Sequence, residues 1–141
     1  MNRKYVYFTL DIAFFLLFMT LVVLILTGNL MIAVVEGTSM EPLFQTGDVV
    51  FVVKVKPSEI RPGDIIVYEK PNGAYIIHRV VKVKHENGET IIITKGDNNK
   101  YYDPPIRMKQ VVGKVLSVYN MPVKLPFLGL ISLWVKSIIN Y

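Results

Sequence analysis

The N-terminal part of the chain contains a long, uncharged apolar run. No charged residue lies between Ile12 and Val35, and Phe, Leu, Val, Ile and Met dominate these 24 positions. As a helix, a run of this length reaches about 36 Å, which exceeds the roughly 30 Å hydrocarbon core of a bilayer. A buried core helix is seldom apolar on every face over such a length, and the apolar stretch of a removable signal peptide spans only about 7 to 15 residues. The pattern therefore predicts a retained transmembrane anchor.

Beyond this anchor the hydrophobic period changes from that of a helix to that of a strand. Asn72-Gly73 and Asn87-Gly88 separate such runs, and both residues of an Asn-Gly pair tolerate the positive φ that tight hairpins need. We therefore expect one hairpin that pairs the strands around residues 66 and 77, and another that pairs those around 81 and 92. The β-branched runs interpreted as strands are Val49 to Val55, Ile65 to Tyr68, Tyr75 to Val83, Ile91 to Thr94 and Val111 to Val118. The predicted fold class is mainly β, with hairpins, preceded by one N-terminal transmembrane helix.

The anchor and the β region suggest a division of the chain near residue 35. Arg3 and Lys4 precede the apolar run, and positive charges favour the cytoplasmic side of a membrane. Residues 1–35 are therefore expected to form a cytoplasmic N-terminus and a transmembrane anchor, and residues 36–141 an outward-facing β domain. Within that domain, residues 96–107 are polar and rich in turn residues, and we interpret them as a functional loop.

An apolar segment follows the last predicted strand, from about residue 122. Its most apolar part, Leu125 to Val135, would reach only about 16 Å as a helix, which is too short to cross a bilayer. Either this segment lies on the membrane surface or it closes the β core. The residues suited to the depth of the lipid headgroups are Trp134, Lys136 and Tyr141.

Composition narrows the range of functions. The 141 residues suit a single globular domain, and the net charge of +5 is too dilute to indicate a nucleic-acid partner, since no Lys/Arg block with interleaved aromatic residues is present. The chain has no cysteine, which excludes disulfides, thiolate zinc sites and a cysteine nucleophile. Covalent catalysis by this chain would therefore use Ser, Thr or Lys.

Candidate residues for such chemistry are few. Of the two histidines, His85 lies in a charged context that favours a solvated side chain, whereas His78 lies in an otherwise apolar strand. His78 is either a buried histidine satisfied by the backbone or a catalytic base. Ser39 lies between Gly37 and Pro42, in a loop suited either to an exposed nucleophile or to local turn hydrogen bonds.

An ordered series of motifs from about residue 35 to 115 resembles the signal peptidase I family. In this family a lysine base precedes the Arg-Val pair in typical bacterial members, whereas a histidine stands there in the archaeal and endoplasmic-reticulum type, and this chain has His78. The motifs that carry the resemblance are Gly37-Thr38-Ser39-Met40-Glu41-Pro42, Gly47-Asp48, Arg61-Pro62-Gly63-Asp64-Ile65-Ile66, Ile77-His78-Arg79-Val80, Lys95-Gly96-Asp97-Asn98-Asn99 with Asp103, and Val112-Gly113-Lys114-Val115.

The resemblance implies a role for each matching residue of the Ser-His-Asp type. Ser39 is expected to be the nucleophile, His78 the general base and Asp103 the group that orients His78. Asp97 lies in the same loop and is expected to support the site, or, as the alternative, to be the orienting acid itself. An imidazole, with an ordinary pKa of about 6.5, needs no strong burial to act as a base at neutral pH.

The oxyanion site departs from the pattern of the family. Many members have a small hydroxyl residue two places before the nucleophile, whereas here that position is Gly37 and the neighbouring hydroxyl belongs to Thr38. The backbone N–H of Ser39 is therefore the expected oxyanion donor, with the Thr38 hydroxyl as a second candidate.

The function implied by the resemblance is that of a membrane-bound serine endopeptidase that cleaves signal peptides from exported preproteins at the outer membrane surface. Its expected partners are those signal peptides, the lipid bilayer and accessory membrane subunits, and neither metal nor other cofactor is implied. The expected location is the cell membrane, or the endoplasmic reticulum membrane in a eukaryote, as a single-pass protein with a cytoplasmic N-terminus. The alternative from another functional class is a non-catalytic, membrane-tethered β module that binds partners. A self-cleaving Ser-Lys repressor protease is disfavoured, since no DNA-binding helix pair is evident.

Overall fold

A computed structural model describes residues 3–86 and 88–139 of the chain. Asn87 of the second predicted Asn-Gly turn and Tyr141 of the apolar tail therefore lie outside the described residues. The chain forms two compact units, of which the first ends at Met31 and the second begins at Ile32.

The first unit consists mainly of α1 (Arg3–Leu26), none of whose residues is buried. Among the described residues it is the one helix long and apolar enough to cross a membrane. This confirms the predicted N-terminal apolar helix, but its bounds differ from those of the uncharged run. The helix ends well before Val35 because Gly28 adopts a left-handed φ of 69°, and the next residues form a strand instead, β1 (Leu30–Val34).

The remaining described strands confirm a mainly antiparallel β fold. Their bounds are β2 (Val49–Val53), β3 (Ile65–Glu69), β4 (Tyr75–Glu86), β5 (Glu89–Lys95), β6 (Ile106–Arg107), β7 (Val111–Val115), β8 (Ser117–Val118), β9 (Met121–Pro122) and β10 (Lys124–Leu125). Within the described residues, the main sheet has the order β1-β2-β7-β3-β4-β5-β6, with β10 paired to β2, and β8 and β9 form a separate hairpin.

Both predicted hairpins are present. In the first, β3 and β4 pair antiparallel with Ile66 opposite His78 and Val67 opposite Ile77. In the second, Val83 lies opposite Ile92. Because directly opposed residues of an antiparallel pair project from the same face, the first register places His78 on the face of Ile66, which is fully buried.

The core of the second unit lies on this face around β3, which pairs with both β4 and β7. Four consecutive residues of β3 are buried, as expected for an interior strand. The cluster of buried side chains comprises Ile60, Ile66, Tyr68, Val80, Ile92 and Ile106. His78 therefore lies at a buried position of a strand that is paired on both sides, with β3 and β5.

The apolar tail consists of a short strand that joins the main sheet and an exposed helix. Lys124 and Leu125 join the main sheet beside β2, whereas α2 (Leu130–Ile139) has no buried residue. Trp134 is 66% exposed. The helical part of the tail therefore does not close the β core.

Candidate active site

Ser39 lies in a loop whose two ends are joined by backbone hydrogen bonds. We define the Ser39 loop as residues 35–48. The N–H of Val35 donates to the carbonyl of Asp48 over 2.8 Å, and the N–H of Gly47 donates to the carbonyl of Val35 over 2.9 Å. Met40 and Phe44 of the loop are almost completely buried, so apolar burial fixes the loop while Ser39 remains partly exposed.

His78 approaches this loop from β4. Its imidazole is buried, with 5% exposure, and its Nε2 lies 3.0 Å from Ser39 Oγ. Its Nδ1 lies 2.5 Å from Asp103 Oδ2. The three side chains therefore form one continuous chain of hydrogen bonds, with His78 in the middle.

Asp103 is held in place by the end of β5. Its N–H donates to the carbonyl of Thr94 over 2.8 Å, and the Thr94 hydroxyl donates to Asp103 Oδ2 over 2.7 Å. An ionised carboxylate can only accept hydrogen bonds, so the Nδ1 of His78 must carry the proton in this contact. The Nε2 of His78 is then free to accept the proton of the Ser39 hydroxyl.

Asp97, the alternative acid, faces a different partner. Its carboxylate accepts hydrogen bonds from Arg79 Nε over 2.8 Å and from Arg79 Nη2 over 2.6 Å, while Arg79 Nη1 donates to the carbonyl of Gly63. The hydrogen bonds from Arg79 to Asp97 raise the pKa of the guanidinium, partial burial lowers it, and the Asp97 charge adds to the net increase. The structure thus brings Ser39, His78 and Asp103 together and pairs Asp97 with the residue next to His78.

This pairing distinguishes Asp97 from the usual Asp of a turn such as residues 96–99. Asp in such turns commonly accepts hydrogen bonds from nearby backbone N–H groups, but Asp97 is directed to Arg79 instead. The backbone of the turn contacts the Ser39 loop: the Asn98 N–H donates to the Ser39 carbonyl over 2.9 Å, and Asn98 Nδ2 donates to the Thr38 carbonyl over 3.1 Å. A Cβ at Gly96 would stand 2.6 Å from the Ser39 carbonyl oxygen, so only glycine permits this close approach.

Tyr68 supports His78 from the core. The two rings meet edge to face, with centroids 6.5 Å apart and an interplanar angle of 64°. The Tyr68 hydroxyl is buried and has no hydrogen-bond partner among the described residues. Burial raises the pKa of this phenol to about 12. The nearby Thr94 hydroxyl lowers the pKa, whereas the charge and the proximity of the Asp103 carboxylate raise it further.

The oxyanion donor expected from the sequence is the backbone N–H of Ser39. The Ser39 N–H has no backbone acceptor within the described part of the chain, so it is available to a developing oxyanion. The Thr38 side chain is exposed. Its contribution stays a prediction.

A cleft of about 460 Å³ opens beside Ser39. Two stretches line it, residues 33–36, which lead into the Ser39 loop, and residues 73–77, which lead into β4. Most of these side chains are small or aliphatic. Lys136 of α2 also reaches the cleft and donates a hydrogen bond to Glu36 over 2.8 Å.

The second histidine is placed as the sequence predicts. His85 is exposed, and its Nδ1 lies 3.1 Å from the Thr90 hydroxyl. His78 is therefore the histidine in contact with Ser39.

Among residues 3–86 and 88–139, no group of three His, Asp or Glu side chains is arranged to hold a metal ion.

Sequence reasoning missed Thr94 and Tyr68 as parts of the site. A signal for Thr94 was present, because it lies two positions after the inward-facing Ile92 and shares its buried face. A polar residue on an inward face needs a buried partner. Tyr68 carried no comparable signal, because an aromatic residue in an apolar strand is ordinarily a core residue.

Comparisons with known proteins identify similar chains. A family model described as Peptidase S24-like matches residues 14–116. The signal peptidase complex catalytic subunit sec11 of Schizosaccharomyces pombe is 33% identical, over 73% of this chain and 66% of the yeast protein. The corresponding subunit SEC11C of Homo sapiens is 34% identical, over 78% of this chain and 60% of the human protein. SEC11 of Candida tropicalis is 33% identical, over 86% of this chain and 75% of that protein. The chain thus spans less than two thirds of the length of the Schizosaccharomyces and human proteins.

Proposed function

We propose that this chain is a membrane-bound serine endopeptidase that cleaves signal peptides from exported preproteins. The chain belongs to the Peptidase S24-like family and, within it, to the endoplasmic-reticulum and archaeal type of signal peptidase I. The observation that carries the proposal is the chain of hydrogen bonds from Ser39 through His78 to Asp103. A module that only bound partners would have no need for a serine, an imidazole and a carboxylate in this order.

In the proposed reaction Ser39 Oγ attacks the carbonyl carbon of the scissile peptide bond, and His78 Nε2 takes the hydroxyl proton. Asp103 holds the imidazole in the reactive tautomer and stabilises the imidazolium that forms. The Ser39 N–H donates to the oxyanion of the tetrahedral intermediate. The imidazolium then gives its proton to the leaving amine, which frees the mature protein and leaves the signal peptide esterified to Ser39.

Hydrolysis of the ester completes the cycle. His78 takes a proton from a water molecule, which attacks the ester carbonyl, and the imidazolium returns a proton to Ser39 Oγ as the signal peptide departs. These steps use the side chains of Ser39, His78 and Asp103 together with the Ser39 N–H.

The cleft beside Ser39 supports an extended substrate. Its walls are formed by the stretches at residues 33–36 and 73–77, so a peptide between them can form main-chain hydrogen bonds in the manner of an added strand. Gly73 and Ala74 contribute little side-chain bulk, and Ala33 and Val34 make the opposite wall apolar. We propose that the cleft between these two walls accepts small residues on the acyl side of the scissile bond.

The proposed location is a membrane, with α1 as a single-pass anchor and the β domain on the outer side. Arg3 and Lys4 favour a cytoplasmic N-terminus. Ser39 follows the last residue of α1 by only 13 positions, and a signal peptide likewise carries its cleavage site shortly after its own apolar segment. Because the similar proteins are named as subunits of a signal peptidase complex, accessory membrane subunits are proposed as further partners.

The direct test is cleavage of a preprotein by the purified chain in lipid or detergent. Ser39→Ala deletes one hydroxyl from a partly exposed loop position, so we expect it to fold normally and to lose cleavage almost completely. Ser58→Ala, at an exposed position in the 3-10 turn Pro57–Glu59, is the matched control and should cleave normally. Cleavage by Ser39→Ala at the wild-type rate would refute the proposed mechanism.

A further inference from the structure

The segment that begins with β10, the last strand of the main sheet, contacts the Ser39 loop at several points. This segment, residues 124–129, lies beyond the part of the chain that the family model matches. The Gly129 N–H donates to the Gly47 carbonyl over 2.9 Å, and the Phe127 N–H donates to Asp48 Oδ1 over 3.3 Å. These backbone contacts bring the 124–129 segment against the C-terminal end of the loop.

Lys124 connects two parts of the loop. Its ammonium donates to Asp48 Oδ2 over 2.7 Å and to the Leu43 carbonyl over 2.8 Å. It also lies 5.9 Å from the centre of the Phe44 ring. The Lys124 ammonium thus connects Leu43, in the middle of the Ser39 loop, to Asp48 at its end. It also lies over the ring of Phe44 between them.

The Asp48 carboxylate that pairs with the Lys124 ammonium is buried. Only 1% of its surface is exposed, and besides Lys124 and Phe127 it accepts a hydrogen bond from the Gln45 N–H over 3.1 Å. Burial alone would raise the pKa of Asp48, but the hydrogen bonds from Lys124, Gln45 and Phe127, with the Lys124 charge, hold it below its ordinary value. A buried carboxylate with this set of donors stays ionised and fixes the groups around it.

We propose that Lys124 is a positioning residue for the nucleophile: through Asp48 and Leu43 it holds the Ser39 loop in the geometry that places Ser39 Oγ within hydrogen-bond distance of His78. This inference rests on the proposed peptidase function. Lys124 itself touches neither Ser39 nor His78, and it acts through the loop. A displacement of about 1 Å at a reacting atom can lower a rate about 100-fold. Loss of the Lys124 contacts with Asp48 and Leu43 therefore lowers turnover more than it lowers substrate binding.

The test compares Lys124→Gln with a matched control. Lys114 also donates to a carbonyl and to a carboxylate, those of Glu59 and Asp64, and its side chain is 28% exposed against 29% for Lys124. Below the melting temperature of each variant, Lys124→Gln is expected to lower kcat about 10- to 100-fold with KM unchanged within about twofold. Lys114→Gln is expected to keep the wild-type kcat, and Lys124→Arg to recover most of the loss.

Amide hydrogen exchange gives a second readout that does not depend on catalysis. The N–H groups of Glu41 and Phe44 donate to carbonyls within the Ser39 loop, and they are expected to exchange faster in Lys124→Gln while the amides of β3 keep their protection. Should Lys124→Gln not fold, the Asp48→Asn/Lys124→Gln double variant removes both charges of the ion pair, so that no uncompensated buried carboxylate is left, and it is expected to show the same changes.

Two results would overturn the inference. One is a folded Lys124→Gln, or double variant, with kcat within about twofold of the wild type. The other is a lowered kcat with unchanged exchange at Glu41 and Phe44, which would mean that Lys124 does not act through the loop. If the wild-type chain cleaves no preprotein, the proposed function fails by itself, and the exchange measurement still decides whether Lys124 holds the loop.

Discussion

Replacing Asp103 by asparagine removes the negative charge beside His78 while keeping nearly the same shape. The carboxylate lies 2.5 Å from His78 Nδ1, and the two side chains are 11% and 6% exposed, so little solvent screens their interaction. An amide nitrogen that faces Nδ1 would favour the imidazole tautomer with the proton on Nε2, which cannot accept the Ser39 proton. We expect kcat to fall about 10⁴-fold, equivalent to about 5 kcal/mol of transition-state stabilisation.

Asp97→Asn is the matched perturbation in the same loop. The ion pair of Asp97 with Arg79 is bidentate, but the side chains are 23% and 34% exposed, so its loss costs only about 1 kcal/mol of folding free energy. For a domain of this size that lowers the melting temperature by about 4 °C. Because Asn98 of the same turn holds the Ser39 carbonyl, we also expect kcat to fall, by about 10-fold.

The assay is paired kinetics and melting curves for both variants in one lipid preparation. Asp64→Asn, which weakens an ion pair of similar exposure with Lys114, is the control for a loss of stability without a loss of rate. The expected pattern is a normally stable, nearly inactive Asp103→Asn and a destabilised, moderately slowed Asp97→Asn. If Asp97→Asn is the stable, inactive variant and Asp103→Asn is only slowed, the roles assigned to the two carboxylates are wrong.

Three further predictions concern the surroundings of the site. Gly96→Ala places a Cβ 2.6 Å from the Ser39 carbonyl oxygen and should lower kcat about 10- to 100-fold in steady-state assays. An unchanged kcat would show that the backbone accommodates the Cβ without displacing Ser39. Tyr68→Phe removes a buried hydroxyl without a partner among the described residues, so calorimetry should show a melting temperature about 4 °C higher, and a lower one would mean that the hydroxyl is hydrogen-bonded. Because the folded-state pKa of Asp48 lies below its ordinary value of 3.8, its contribution to stability is present above that pH and is lost as the pH falls through the folded pKa. Asp48→Asn should therefore melt below the wild type at pH 7, with a difference that narrows as the pH falls below 3.8, and a constant difference would contradict the linkage.

Much of the fold follows from local pattern. Asn72-Gly73 predicts a tight turn, and β3 and β4 pair on either side of it. The uncharged N-terminal run predicts a long apolar helix, and α1 is one. The end of that helix was not predicted, because hydrophobicity alone does not separate Leu30–Val34, a strand of the sheet, from the helix before it.

The site depends on contacts that no local pattern contains. The resemblance to the signal peptidase I family limited the candidates to Ser39, His78 and two carboxylates, and the absence of cysteine excluded a thiol nucleophile. Ser39 and His78 are 39 residues apart, and His78 and Asp103 are 25 apart, so their meeting depends on how β4 and the following loop pack. The two carboxylates are only six positions apart in one loop, and the folded loop with its contacts to Thr94 and Arg79 decides which one faces His78. The residues of the Lys124–Asp48 ion pair are 76 positions apart. They meet because the pairing of β10 with β2 and the burial of Phe44 bring the segment 124–129 against the Ser39 loop.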